Sequence, residues 1–215
     1  MKNVLILGAN GRIARVVEDR LLKEQPDVKL TLFLRNANRL SQLANNERVT
    51  LIDGDVENAD QVQAAMKDQD IVYIAMVDHD SDNKITQNVI KAMKENGVKR
   101  VIASNILGIY NEVPGEFGRW NQEQVKWGLQ AAINADRLLE NSGLTYTTIR
   151  IPWLNDHQEI KYIITHKGES YNGVSGSRRS VADLVVKIIK DPSYLVNDSI
   201  GLADPDTQGM DRPVY

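Results

Sequence analysis

The chain has 215 residues, 42% hydrophobic and 26% charged, with 26 Lys and Arg against 29 Asp and Glu and no cysteine. A chain of this length buries about 70–75% of its unfolded surface, so one domain is expected without a covalent staple, and the missing thiols exclude disulfides, thiolate metal sites and cysteine nucleophiles. The basic residues are scattered, against a nucleic-acid groove, and no apolar run approaches the ~18 residues of a membrane span, so a cytoplasmic protein with no nucleic-acid or membrane partner is expected.

The chain enters its first apolar run at once, so no secretory leader is expected. That run, 4–7, is short, aliphatic and unbroken, as a central parallel strand covered on both faces should be. Behind it comes Gly8-Ala9-Asn10-Gly11-Arg12-Ile13-Ala14, a Gly-x-x-Gly-x-x-Ala turn opening a helix over about 11–23. Gly8 suits a sharp exit from the strand, Gly11 a close backbone approach to phosphate, and Ala14 tight packing of helix on sheet. The helix start offers free N–H groups and a positive dipole end to a dinucleotide pyrophosphate.

Further strand-like runs follow at 30–34, 49–52, 71–76, 100–103 and 145–149, alternating with helical periodicity at 37–45, 59–67, 84–96 and 121–142. This rhythm predicts an α/β fold, a Rossmann-like doubly wound parallel sheet with helices on both faces and ligands at the carboxyl ends of its strands. Pro26, Gly97 and Asn141-Ser142-Gly143 punctuate the helix ends. A cofactor-binding core is expected over about 1–150. The remaining residues, about 151–215, carry turn chemistry at 172–177 and one helix near 181–190, and are expected to form a small cap on the substrate side. The Pro- and Gly-broken stretch 111–120 reads as a long loop over the nicotinamide end, mobile or static.

At the end of the second strand an acidic residue would bind the ribose hydroxyl of NAD(H), but Arg35 stands there. A guanidinium pairs with the additional phosphate of NADP(H), with Arg12 and Arg39 within reach; the alternative is an ordinary solvated charge. Asp55 is placed to accept from the adenine amino group with Val56 over the ring, or else to cap the helix that follows. Ala75, Met76 and Val77 would pass beneath the ribose and nicotinamide. The expected cofactor set is Gly8, Asn10, Gly11, Arg12, Ile13, Arg35, Arg39, Asp55, Val56, Ala75, Met76 and Val77.

These features, with Ala103-Ser104-Asn105, the run 141–152 and Ser180-Val181-Ala182-Asp183-Leu184, resemble the atypical short-chain dehydrogenase/reductases, in particular their NmrA-like NAD(P)H-binding branch. The resemblance implies a Tyr-x-x-x-Lys pair on the helix before Ser142-Gly143-Leu144, where the lysine lowers the phenol pKa and the tyrosine exchanges a proton with substrate. The corresponding places hold Gly128 and Ala132, and no Tyr-x-x-x-Lys occurs anywhere in the chain. Two readings follow. One is an NADP(H) oxidoreductase passing hydride to a small, quinone-like acceptor that draws its proton from water. The other is an NADP(H)-responsive sensor with a protein partner. Ser104 is a candidate to bind a substrate carbonyl or cap a turn, Tyr110 a candidate acid or a packed loop residue, and Trp127 and Trp153 candidates for core or cap packing or for aromatic walls.

Metal chemistry is not expected. The acidic stretch 78–83 lacks the glycine and distal glutamate of a calcium loop, and His79, His157 and His166 have no zinc spacing. Arg178-Arg179, the densest basic spot outside the cofactor half, reads as a solvated edge.

Overall fold

The computed structural model describes residues 1–215. Strand β1 (Lys2–Leu7) lies at the centre, paired in parallel with β2 (Val28–Leu34) on one side and β4 (Ile71–Ile74) on the other. With β3 (Val49–Asp53), β5 (Arg100–Ile106), β6 (Thr145–Ile151), β8 (Ile163–Thr165) and β10 (Asp198–Ala203), the sheet order is β3-β2-β1-β4-β5-β6-β10-β8. All neighbours run parallel except β8 against β10. The order reverses between β1 and β4, which opens a crevice at their carboxyl ends.

The unbroken apolar strands feed two cores. Val4 and Ile6 point to one face, where α1 (Arg12–Glu24) packs beside α6 (Arg178–Lys190). Leu5 and Leu7 point to the other, against α2 (Ala59–Ala65), α3 (Lys84–Asn96) and α5 (Leu129–Glu140). Alternating side chains of one strand therefore enter two separate apolar layers, as a central parallel strand requires.

Four expectations need correction. Residues 151–215 are not a small cap: α6, β10 and β8 complete the sheet and one of its cores, because Val181, Leu184, Ile188 and Ile200 are fully buried among residues of β1, β2 and α1. The two-stranded parallel ribbon of β7 (Trp153–Asn155) and β9 (Ser175–Ser177) stands apart from this sheet. The stretch 111–120 is largely helical, since α4 (Gly115–Val125) begins inside it and buries Phe117 and Asn121. Pro114, Gly115 and Gly118 read as turn chemistry and hid that helix. The single helix expected at 121–142 is two, α4 and α5, broken before Leu129, and the segment 37–45 is a kinked 3-10 turn over Ala37–Leu43. No helix is long and apolar enough to cross a membrane.

Beneath the crevice, Glu18 of α1 is 2% exposed with one carboxyl oxygen unpartnered. Burial raises its pKa to about 8 against the pull of Arg15. The folded state thus keeps a proton that the unfolded chain releases above the ordinary 4.5, and stability is lost as pH rises from there to about 8. Glu18→Gln has no proton to lose. Its urea midpoint relative to wild type is expected to climb steadily from pH 4.5 to pH 8, and a pH-independent difference would rule out a neutral buried carboxyl.

Candidate functional site

The turn after β1 is built from backbone. Gly8 and Ala9 both donate N–H to the Phe33 carbonyl, at 3.0 and 3.2 Å, which holds the turn against β2. Gly8 has φ +79°, in the left-handed region, and a Cβ there would also lie 2.3 Å from the Met76 methyl. Gly11 donates to the Gly8 carbonyl at 2.9 Å and stands as N-cap of α1 with no side-chain cap. The first-turn N–H groups of α1 therefore face the crevice without a protein acceptor on the cap, the arrangement that binds phosphate.

On the far side of the turn is a cavity of about 360 Å³, lined among others by Gly8, Asn10, Gly11, Arg35, Arg39, Asp55, Val56 and Met76. Asp53 fixes its rim: its two carboxylate oxygens accept from Asn36 and Ala37 N–H, each at 3.1 Å, so the chain leaving β2 turns and brings Arg39 beside Arg35. Arg35 is 81% exposed and reaches no nearer than 4.0 Å to Asp55, leaving its guanidinium available to an anion. Asp55 is not the cap of α2. Asn58 does that work, accepting from Gln61 N–H at 3.2 Å, while Asp55 accepts from Glu57 N–H at 3.0 Å.

The remaining members of the expected cofactor set are placed differently. Ala75 is tied to Leu7 by its N–H at 3.0 Å, with its carbonyl 3.7 Å from where a Gly11 Cβ would be. Ile13 packs on the α1/α6 core and does not line the cavity. Arg12 does not line the cavity; it is ion-paired with Asp156, which also holds Arg178 at 2.8 Å.

Val77 lines a second cavity, of about 450 Å³, between the ends of β4, β5 and β6 and helix α4. Its walls include Ile106, Leu107, Val125, Pro152, Trp153 and Leu154, with Asn105, Asn121 and Arg178 as polar members. Trp153 lines this cavity and also packs on the small core of Leu107 and Phe117, with its indole N–H donating to Asn121 at 2.9 Å.

A family model described as NAD(P)H-binding matches residues 8–192, beginning at the first glycine of the turn. The chain belongs to that NAD(P)H-binding family. Among solved structures it is similar to a short-chain dehydrogenase/reductase from Veillonella parvula DSM 2008 in complex with NADP, at 26% identity over 100% of this chain and 99% of that one, with a TM-score of 0.92. A Rossmann-fold NAD(P)-binding family protein from Shigella flexneri matches at 37% identity over 100% and 99%, TM-score 0.80. The fold also matches that of an anaerobilin reductase from Escherichia coli O157:H7, at 21% identity over 95% and 98%, TM-score 0.79. No curated protein matches the chain.

For a family member, the proton-handling groups are conspicuously turned away from the cleft. Ser104 Oγ lies 3.1 Å from the hydroxyl of fully buried Tyr73, whose pKa burial raises to about 12, and Ser104 lines neither cavity. Tyr110 donates its hydroxyl to buried Asp136 and packs its ring 5.5 Å from the Arg150 guanidinium. Burial, the first cause, and the Asp136 hydrogen bond both push its phenol pKa up, which makes it a poor acid. Tyr110→Phe is expected to leave any NADPH turnover within about twofold, where loss of a positioned acid costs about 10²–10⁴; a drop of that size in steady-state kinetics would restore Tyr110 to catalysis.

The place where the resemblance puts the tyrosine is occupied from elsewhere. A Cβ on Gly128 would lie 2.6 Å from Nδ1 of His79, whose ring stands 4.5 Å from that of Trp127. Trp127 is 73% exposed and is no cavity wall. Desolvation lowers the His79 pKa against the pull of Asp78 and Asp80. Ala132, in the lysine place, contributes only its carbonyl, which accepts from Asn105 at 2.9 Å. Sequence reasoning gave no role to Asn105, Asn121 or Asp156 and took Arg178 for a solvated edge; they come from β5, α4, the loop after β7 and α6 and share no spacing.

Proposed function

We propose that the protein is an NADP(H)-dependent oxidoreductase that passes hydride from the nicotinamide to a small, flat, quinone-like acceptor. The observation that carries this reading is the meeting of two cavities at one peptide bond: Met76 lines the arginine-rimmed crevice and Val77 the apolar cavity. NADP(H), when bound, supplies the hydride. The chain's own residues bind and orient. The uncapped start of α1 takes the pyrophosphate, Arg35 and Arg39 the additional phosphate, and Asp55 and Val56 the adenine. The apolar walls of the second cavity exclude water and lay the acceptor beside the cofactor end.

With Ser104 committed to Tyr73 and Tyr110 to Asp136, no side-chain acid meets the acceptor. A quinone needs none: it gains hydride from the cofactor and a proton from water to become the hydroquinone, while NADPH becomes NADP⁺. The NADP held by the Veillonella relative supports the cofactor half of this reading. NADPH consumption against a panel of neutral quinones tests it, and oxidation by none of them above the Arg35→Asp background removes it.

A second reading, an NADP(H)-responsive sensor with a protein partner, is favoured by one observation: the exposed Trp127 ring packed on His79 gives the Gly128 position an apolar outer surface. A partner whose affinity is the same with NADP⁺ and NADPH ends this reading, because a ligand shifts an equilibrium only by differential binding.

A further inference from the structure

Resting on the oxidoreductase reading, we propose that the second cavity takes an acceptor whose flat apolar body carries a carboxylate, and that Arg178 is the residue that selects that anion. The cavity wall is apolar apart from Asn105, Asn121, Arg178 and Tyr215. Both amides are committed to the protein. Asn105 donates to the Ala132 carbonyl at 2.9 Å and accepts from Ile106 N–H at 2.7 Å. Asn121 donates to the Leu107 carbonyl at 3.1 Å and accepts from the Trp153 indole at 2.9 Å. Arg178 is the one cationic side chain in this lining, so recognition of an anion in the cavity falls to it.

Arg178 is the first residue of α6, where the helix dipole adds to its positive potential, and its side chain is 18% exposed. Both of its protein contacts use Nη1: the Asn155 carbonyl at 3.2 Å and the Asp156 carboxylate at 2.8 Å. Nε and Nη2 remain, and these form the edge of the guanidinium whose two parallel N–H groups meet a carboxylate side-on. Asp156 already demonstrates that a carboxylate is accepted against this group. It does so from a 61% exposed position, shared with Arg12, which leaves the opposite edge free.

Calorimetric titration of the NADP⁺-saturated protein with 2-naphthoate and with 2-naphthamide, equal in shape and different in charge, tests the assignment. Wild type is expected to bind the acid at least about tenfold tighter than the amide, the discrimination of one charge-assisted bidentate pair. Arg178→Gln should erase that ratio while leaving amide and NADP⁺ affinities within about twofold. Asp156→Asn, which removes the competing negative charge, should enlarge the ratio.

An acid bound no tighter than the amide by wild type overturns the proposal, as does a ratio that survives Arg178→Gln. Loss of NADP⁺ affinity in that variant with the ratio intact gives the guanidinium to the cofactor and equally overturns it. The oxidoreductase reading is judged apart, by NADPH oxidation with neutral quinones. A naphthoate preference without turnover removes the chemistry and keeps the anion site, and turnover without the preference does the reverse.

Discussion

Arg35→Asp is expected to weaken NADP⁺ binding by about 10- to 100-fold or more and to leave NAD⁺ binding unchanged or improved. The magnitude follows from losing a charge-assisted hydrogen-bonding group, about 1.5–3 kcal/mol, at about 1.4 kcal/mol per tenfold. Repulsion adds to it, because the new carboxylate would stand at the rim already occupied by Asp55, with Arg39 the remaining arginine there. For NAD⁺ the sign reverses, since an acid at the end of β2 can accept from the ribose hydroxyl. Arg39→Ala should act in the same direction but less, and the NADP⁺ effect of both should shrink with salt, as the groups lie in solvent. Fluorescence titration with the two nucleotides separates the terms. Equal weakening of both would mean that Arg35 supports the crevice without reading the phosphate.

The largest effect on stability is expected away from the crevice, at Arg150. Its side chain is fully buried on β6, with Nη1 on Glu112 at 2.8 Å and Nη2 on the Thr165 and Ser199 carbonyls at 2.9 and 3.1 Å. Glu112, 3% exposed, accepts in turn from Gly108 and Tyr110 N–H at 3.1 and 3.0 Å. One ion pair thus joins the loop after β5 to β6, β8 and β10. Arg150→Met leaves a carboxylate in an apolar layer with no cation and is expected to cost about 3–5 kcal/mol. At this chain length that lowers the melting temperature by about 10 °C. The double variant Arg150→Met/Glu112→Gln should recover much of the loss, because the cost lies in the orphaned charge more than in the lost attraction. Denaturant unfolding of the two variants decides the matter. A double variant no more stable than the single one would place the cost in lost packing instead.

The first half of the site could be read from the chain because its chemistry is local. Gly8, Gly11 and the helix they open are contiguous, and Arg35 follows directly on a strand whose apolar run announces it. Where interpretation depended on which competing local role won, the residues did not say. Local sequence leaves Asp55 between adenine and helix cap, and Tyr110 between acid and packed loop residue; the Asn58–Gln61 and Tyr110–Asp136 hydrogen bonds are what separate these roles. Helix α4 was hidden for a similar reason: Pro114, Gly115 and Gly118 carry turn propensity, and the burial of Phe117 and Asn121 overrides it.

From its residues alone this chain declared a parallel α/β sheet, a phosphate-binding turn and an arginine where a ribose-binding acid would stand, since periodicity, glycine and charge at strand ends act over a few neighbouring residues. Only the tertiary structure decided that residues 151–215 complete the sheet, that Ser104 and Tyr110 face inward, and that Arg178 enters an apolar cavity instead of lying in solvent. Those outcomes depend on contacts between segments far apart in sequence, such as α6 against α1 and Asp156 between Arg12 and Arg178, and such partners leave no mark in local spacing.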